Sequence, residues 1–371
     1  MARRQRSKSV EADISAVRSL ESANTINLNF LEWLAAHDRV VYGNTAINAV
    51  LPHDLKFYSN HALTDYDVLT PDAAADVRSI TAAFGRRGQQ VVAAPDPTEP
   101  ASQRVFVNSV VLARITQVPK HVYRRIRANA LQGNGLHVAP VDYLRMALLF
   151  ELTQQTSPTA WNDTFDKLLR LNRAFNLVDT TPTCEPTQEK DDEAKAAMNV
   201  VKDHLQKTQY VLCGYAAAAM ALADGSWPSE PARLDARNTC MDILATNPET
   251  AAAEFAGVLA SHKSIKNRFT IAERRSASGV FPRSFVLFID GRPFVGFIHA
   301  DQCLPYVQVE GLRVATLDTL LALYLRAFVM DRPTTNLRCL CDVLAMHQHN
   351  RFNSKKPIFK RYVTECYGRK Q

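Results

Sequence analysis

No apolar run in this sequence comes near the roughly eighteen residues that a membrane-crossing helix needs. The opening MARRQRSKSVEAD is basic and polar, has no apolar stretch of the kind found in a secretory leader, and reads as a disordered tail. Cysteine is scarce and odd in number: seven residues with no repeating spacing. That argues against a disulfide framework and for free buried thiols in a reducing compartment. Cys339 and Cys341, followed by His347 and His349, have the side-chain types of a zinc site. However, NLRCLCDVLAMHQHN reads as a helix, on which residues two apart point in different directions.

What is present is the composition of a folding chain. Hydrophobic residues make up 46% and charged residues 22% of 371 positions, a length for two domains or one large one. The net charge of +7 is unevenly placed: residues 1–9 carry +4, residues 351–371 carry +6, and everything between sums to −3. A polyanion such as RNA would be drawn to the two ends first. In the C-terminal run KKPIFKRYVTECYGRK, Phe359, Tyr362 and Tyr367 are interleaved with the basic residues, where they can stack on bases or dock the tail on the core.

The most informative pattern is an internal repeat. VVYGNTAINAVL is echoed by YVLCGYAAAAMAL, which matches Gly43 to Gly214 at an offset of 171. YDVLTPDAAADVRSITAAF is echoed by MDILATNPETAAAEFAGVL, matching Asp67 to Asp242 at 175, and HVAPVDYLRMALLF by RVATLDTLLALYLR, matching Asp142 to Asp318 at 176. Three matches in order at a nearly constant offset imply two copies of one mixed α/β unit. The domain reading is a basic tail over 1–25, a first unit over 26–177, a Pro/Thr/charge-rich linker over 178–197, a second unit over 198–350 and a basic tail over 351–371. Each unit reads as a helix, a Gly turn opening a helix, a strand carrying aspartate, a further helix, a hairpin and a long helix. The hairpins turn at Asn108-Ser109 and at Asp290-Gly291.

In the first copy a Gly turn opening a helix stands some twenty residues before TDYDVL. Such a turn lets backbone N–H groups approach phosphate oxygens. Asp65 and Asp67, two apart on a strand, would share a face and supply the hard oxygen ligands of magnesium. Two such ions can clamp the attacking hydroxyl and the leaving pyrophosphate of a phosphoryl transfer.

YGNTAINAVLP with TDYDVLTPD, continued by ARITQVPKHVYRRI, VAPVDYLRMALLFELT and WNDTFDKLLRLNRAF, resembles the poly(A) polymerase catalytic subunits of large DNA viruses, those of poxviruses and of the mimivirus group. The resemblance runs roughly from Asn24 to Met346 and is weaker in the second copy. It implies an α/β (α+β) chain of two tandem nucleotidyltransferase-like units of polymerase β-like fold, the second degenerate. It further implies template-independent addition of AMP from ATP to RNA 3′ ends with Mg²⁺ or Mn²⁺, a homodimer or a heterodimer with a viral partner subunit, no membrane association, and a cytoplasmic location. Gly43 and Asn44 occupy the family's small-residue turn, with Asn44 a departure from it. Thr45 is the helix-start hydroxyl, and Asp65 and Asp67 match the metal-binding pair.

A second departure lies on the hairpin strand, where the family carries a third carboxylate. Here the strand reads Leu112-Ala113-Arg114-Ile115, which places Arg114 at that position. A guanidinium can pair with Asp65 and Asp67 and fill the metal position, or a one-residue shift of register can turn it to the other face. The alternative function is therefore a catalytically impaired homologue acting as an RNA-binding or dimerising scaffold subunit. In the second copy Asp65 becomes Cys240, Asp67 persists as Asp242, and no acid stands on PFVGFIH. Lys120, Arg124 and Arg125 after the first hairpin, and Lys355, Lys356, Lys360 and Arg361 in the C-terminal run, are the candidate RNA contacts. Asp142 reads as a helix-start carboxylate favoured by the dipole.

Overall fold

The computed structural model describes residues 24–58, 65–97, 101–176, 187–188, 192–233, 239–262, 269–274, 281–331, 334–351 and 353–369. Most of the expected N-terminal tail and most of the expected linker lie outside them. By compactness the chain divides between Pro140 and Val141 into two units.

The first unit opens on a helix α1 over residues 24–36. Phe30, Trp33 and Leu34, at helical spacing, are its buried face. The short, fully buried strand β1 (Val40–Tyr42) runs straight into α2 (Gly43–Val50). The chain continues through β2 (Tyr66–Thr70), α3 (Ala73–Gly85), β3 (Val91–Pro95), β4 (Ser102–Val107), β5 (Val110–Gln117), α4 (Lys120–Ala128), β6 (Leu131–Gly133) and β7 (Leu136–Val138). Asp72 caps α3 by accepting from the Ala75 N–H at 3.0 Å, and Ile80 and Phe84 of that helix are fully buried. The expected hairpin turn is present: Asn108 and Ser109 both take positive φ (49° and 67°), the backbone that a two-residue turn between twisted strands demands. The sheet order is β3-β4-β5-β2-β1-β7-β6, with β2 parallel to β5 and antiparallel to β1.

The second unit begins with α5 (Val141–Gln154) and α6 (Pro158–Ala174), which the sequence reading grouped with the first copy. After the two-residue strand β8 (Thr187–Gln188) come α7 (Asp192–Lys207), β9 (Val211–Cys213), α8 (Gly214–Leu222), β10 (Ala232–Arg233), β11 (Met241–Ala245) and α9 (Pro248–Ala260). Then follow β12 (Phe269–Arg274), β13 (Ser284–Ile289), β14 (Arg292–His299), β15 (Leu304–Val309), β16 (Leu312–Ala315), α10 (Leu317–Arg326), α11 (Thr335–Asn350) and β17 (Cys366–Tyr367). The main sheet runs β12-β13-β14-β11-β9-β16-β15-β17. Aside from the added β17, this is the strand order of the first sheet, so the internal repeat is a repeat of topology. The second hairpin turns at Asp290 and Gly291 with φ of 47° and 76°. Phe255 of α9 meets Phe297 of β14 at 5.2 Å between ring centroids, pinning helix to sheet.

The end of the chain is a docked strap. Ile358 and Phe359 are buried, the Tyr362 hydroxyl donates to the Thr156 carbonyl at 3.2 Å, and β17 pairs antiparallel with β15. Cys303 and Cys366 form a disulfide across that pairing, with Cα atoms 5.2 Å apart. Cys339 is also disulfide-bonded, while Cys213, Cys240 and Cys341 are buried and in no disulfide. The expectation of free thiols throughout is thereby corrected: residues far apart in sequence meet on neighbouring strands, which spacing along the chain does not reveal. With Cys339 in a disulfide and Cys341 buried, the zinc residue types on α11 do not assemble.

Candidate functional site

Gly43 is the hinge of the first unit. Its φ is +71°, and a Cβ added there would lie 2.1 Å from Asp67 Oδ2. Glycine is therefore required twice, by backbone conformation and by the approach of the carboxylate. Thr45 donates through Oγ1 to the Asp65 carbonyl at 2.8 Å, fastening the start of α2 to the entry of β2. Asn44 Oδ1 is buried and has no hydrogen-bond partner. Tyr42, at the end of β1, bonds Thr116 at 2.8 Å, which in turn bonds Ser102 at 2.7 Å, so β1, β5 and β4 are cross-linked beneath the site.

Asp67 and Arg114 are directly opposed in the parallel pairing of β2 and β5. Arg114 Nε stands 2.8 Å from Asp67 Oδ1. The register in which Arg114 turns away is thus not the one adopted. Arg114 also lies 3.9 Å from Asp96 Oδ2. Asp96 has a fully buried side chain and takes Arg104 Nε at 2.8 Å and Nη2 at 3.2 Å. The result is an alternating row, Asp67–Arg114–Asp96–Arg104, across the sheet. Sequence reasoning missed Asp96 and Arg104; the only cue was an aspartate between two prolines in AAPDPTEP. Asp65 precedes β2 and is exposed.

A divalent ion needs convergent hard oxygens. Here one oxygen of Asp67 is engaged by a guanidinium, and the strand opposite it presents a cation in place of a carboxylate. Among the described residues no three His, Cys, Asp or Glu side chains gather to hold a metal. The donor set as folded does not fit a two-metal centre.

The second unit repeats the turn with a different residue opposite its aspartate. Gly214 has φ +69°, and a Cβ there would lie 2.4 Å from Asp242 Oδ2. Asp242 is opposed by Gly296, and it accepts from Thr239 Oγ1 at 2.6 Å. A Cβ at Gly296 would fall 2.0 Å from Asp242 Oδ1, so no side chain fits opposite this aspartate. Cys240, matching Asp65, is buried.

The basic candidates fall on two separate elements. On α4, Lys120 and Arg124 are exposed and Arg125 is half-buried, while Val122, Tyr123 and Ile126 form the inward face. On the strap, Lys355 and Lys360 are exposed. Lys356 Nζ reaches Asp224 at 2.9 Å, which holds that carboxyl below its usual range. Arg361 lies 2.5 Å and 3.1 Å from the buried Asp318 and sits over Phe165 at 4.1 Å. Its charge is spent inside the protein. Asp318 and Asp142 are accordingly ion-pair anchors: Asp318 also takes Gln348 Nε2 at 2.6 Å, and Asp142 pairs with Arg338 of α11.

Residues 29–157, which include the Gly43 turn, both aspartates and Arg114, match the sequence family described as poly(A) polymerase catalytic subunit. A protein of Acanthamoeba polyphaga mimivirus, assigned by inference as a poly(A) polymerase catalytic subunit, is 26% identical over 155 residues. Over this stretch the chain is similar to viral poly(A) polymerase catalytic subunits. The alignment covers 40% of the chain and spans only 26% of the mimivirus protein's length. In fold the chain is similar to the crystal structure of the Megavirus polyadenylate synthase, which superposes with a TM-score of 0.75 over 95% of this chain and 75% of that one, at 17% identity. The shared fold covers both sheets, whereas the family match is confined to residues 29–157. No helix among the described residues is long and apolar enough to cross a membrane.

Proposed function

We propose that the chain serves RNA 3′-end polyadenylation as a poly(A) polymerase-type nucleotidyltransferase homologue whose own transfer site is impaired, acting as an RNA-binding or dimerising subunit. The observation that carries this reading is Arg114 Nε at 2.8 Å from Asp67 Oδ1, in direct register across β2 and β5. In a family site a third carboxylate there would help hold the ion that activates a 3′-hydroxyl; a guanidinium repels that ion and claims one of its ligands. Asp96 supports the swap, because a carboxylate at 114 would face it as well as Asp67, with Arg104 the cation already bound to Asp96. Lys120 and Arg124, and Lys355 and Lys360, would supply the attraction to the RNA backbone.

A second reading, active addition of AMP from ATP with Mg²⁺ or Mn²⁺, draws on the intact Gly43 turn and on Asn44 Oδ1, a buried acceptor without a donor, as a nucleotide-contacting group. Primer extension separates the two. Purified chain is incubated with a short RNA, ATP and either ion. The expected result is extension at or near background, rising at least tenfold in Arg114→Asp/Asp96→Asn, which restores the acid at 114 and removes the neighbouring one at 96. Robust wild-type extension that vanishes in Asp65→Ala/Asp67→Ala establishes the active enzyme instead.

A further inference from the structure

The two main sheets share one strand order, but the second carries a strand that the first lacks among the described residues. That strand, β17, extends the sheet beyond β15, at the place where the first sheet ends on β6. Its ladder is slight. Two residue pairs form it, Leu304 with Tyr367 and Pro305 with Cys366. Pro305 has no N–H, and its carbonyl already accepts from the Thr316 N–H and from Thr319 Oγ1, each at 3.1 Å. Beyond these pairs the Tyr306 N–H donates to the Glu365 carbonyl at 3.3 Å, and the Thr246 N–H donates to the Tyr367 hydroxyl at 3.4 Å, both long for such bonds. The strongest fastening of β17 is the Cys303–Cys366 disulfide. The strand is seated closely: a Cβ added to Gly368, at φ +116°, would lie 2.2 Å from the Gln302 carbonyl oxygen. Thr364, Glu365 and Arg369 around it are exposed, Cys366 is half-buried and Cys303 is buried.

We infer that this disulfide is a thiol-operated latch on the edge of the second sheet: a dithiol reductant opens it, β17 leaves, and β15 becomes the open edge. A ladder of two pairs is marginal in water without a cross-link. The exchange balances in atoms and electrons. A thiolate of the reductant attacks Sγ of Cys366, the more exposed cysteine; the S–S bond breaks, and Cys303 departs as a thiolate that takes up a proton. The second thiol of the reductant then attacks the mixed disulfide. It displaces Cys366 as a thiol and leaves the reductant oxidised to its own disulfide, so two electrons and two protons pass to the protein. Opening uncovers the backbone of β15 at Leu304 and Tyr306, on a strand that reads LPYVQV. An edge strand with no charged side chain is the kind that pairs with other strands, and the closed latch shields it.

The latch lies wholly in the second unit, and its test has no catalytic readout. The full chain is compared before and after treatment with millimolar dithiothreitol, by iodoacetamide labelling and by hydrogen–deuterium exchange read by mass spectrometry. Cys303 and Cys366 are expected to become labelled while α9 keeps its protection, which reports that the fold persists. Amide exchange over residues 304–306 and 363–369 is expected to rise roughly tenfold. Cys303→Ser/Cys366→Ser, with α9 still protected, is expected to exchange at the raised rate with or without the reductant. Cysteines that stay unlabelled in the folded chain overturn the latch, as does labelling with no change in exchange, since docking alone then holds β17. Loss of protection in α9 on reduction also overturns it, because the cross-link is then a staple of the whole unit. So does a response to dithiothreitol over the same residues that persists in the double variant, which assigns the effect to the disulfide of Cys339.

Discussion

At the scale of single residues, the decisive positions are those where one side chain excludes another. Gly43 and Gly214 are alike in backbone and in their closeness to an aspartate, so the glycine by itself does not tell the two units apart. The partner across the strand does: Arg114 in the first unit, Gly296 in the second. Arg114 was legible because the strand aligned with a family position that carries an acid. Asp96 was not, because its role depends on a loop folding back onto β4. His347 offers a residue-scale prediction. Burial lowers its pKa below the usual 6.5, with Arg351 acting in the same direction and an Ala221 backbone hydrogen bond and Asp224 opposing. Its ring lies tilted against Phe359, with centroids 5.4 Å apart, and Nε2 is buried without a partner. Because the unfolded chain takes up this proton first, stability is fully present above pH 6.5 and falls as the pH drops below it. Thermal melts of wild type between pH 7.5 and 5.5 are expected to show that decline, and His347→Leu to reduce it; an equal decline in both assigns the effect elsewhere.

At the scale of elements, helices and hairpins were read well from local signals. The Asn108-Ser109 and Asp290-Gly291 turns, and α5, α10 and α11, all form where turn chemistry and periodicity put them. The C-terminal run was ambiguous for a physical reason. Aromatic residues among lysines and arginines suit both base stacking and docking, and only the contacts decide. Ile358, Phe359 and Arg361 are turned inward, which leaves Lys355 and Lys360 as exposed charge. The strap is fastened by β17 and by the Cys303–Cys366 disulfide, which closes a separation of 63 residues. A cross-link over such a span is worth about 2–4 kcal/mol. Cys366→Ser is therefore expected to lower the melting temperature and to speed tryptic cleavage at Lys360, read by mass spectrometry. Equal cleavage rates in variant and wild type would mean that apolar docking alone holds the strap.

At the scale of the whole molecule, the repeat was visible because two copies kept the order of their glycine, aspartate and helix-start positions while most other residues diverged. The sheets confirm it by strand order, a property that survives such divergence. What the repeat could not convey is how each unit balances its charge. In the first unit Arg114 supplies, from within the chain, the positive charge that an ion from solution would otherwise bring to Asp67. A protein with a resident counter-ion has its folding uncoupled from the ionic supply of its surroundings, since only a ligand that binds the native state shifts its stability. Its melting temperature is accordingly expected to stay the same with EDTA or with millimolar magnesium, whereas Arg114→Asp/Asp96→Asn should gain a magnesium-dependent rise. A chain balanced in this way would persist where magnesium is scarce.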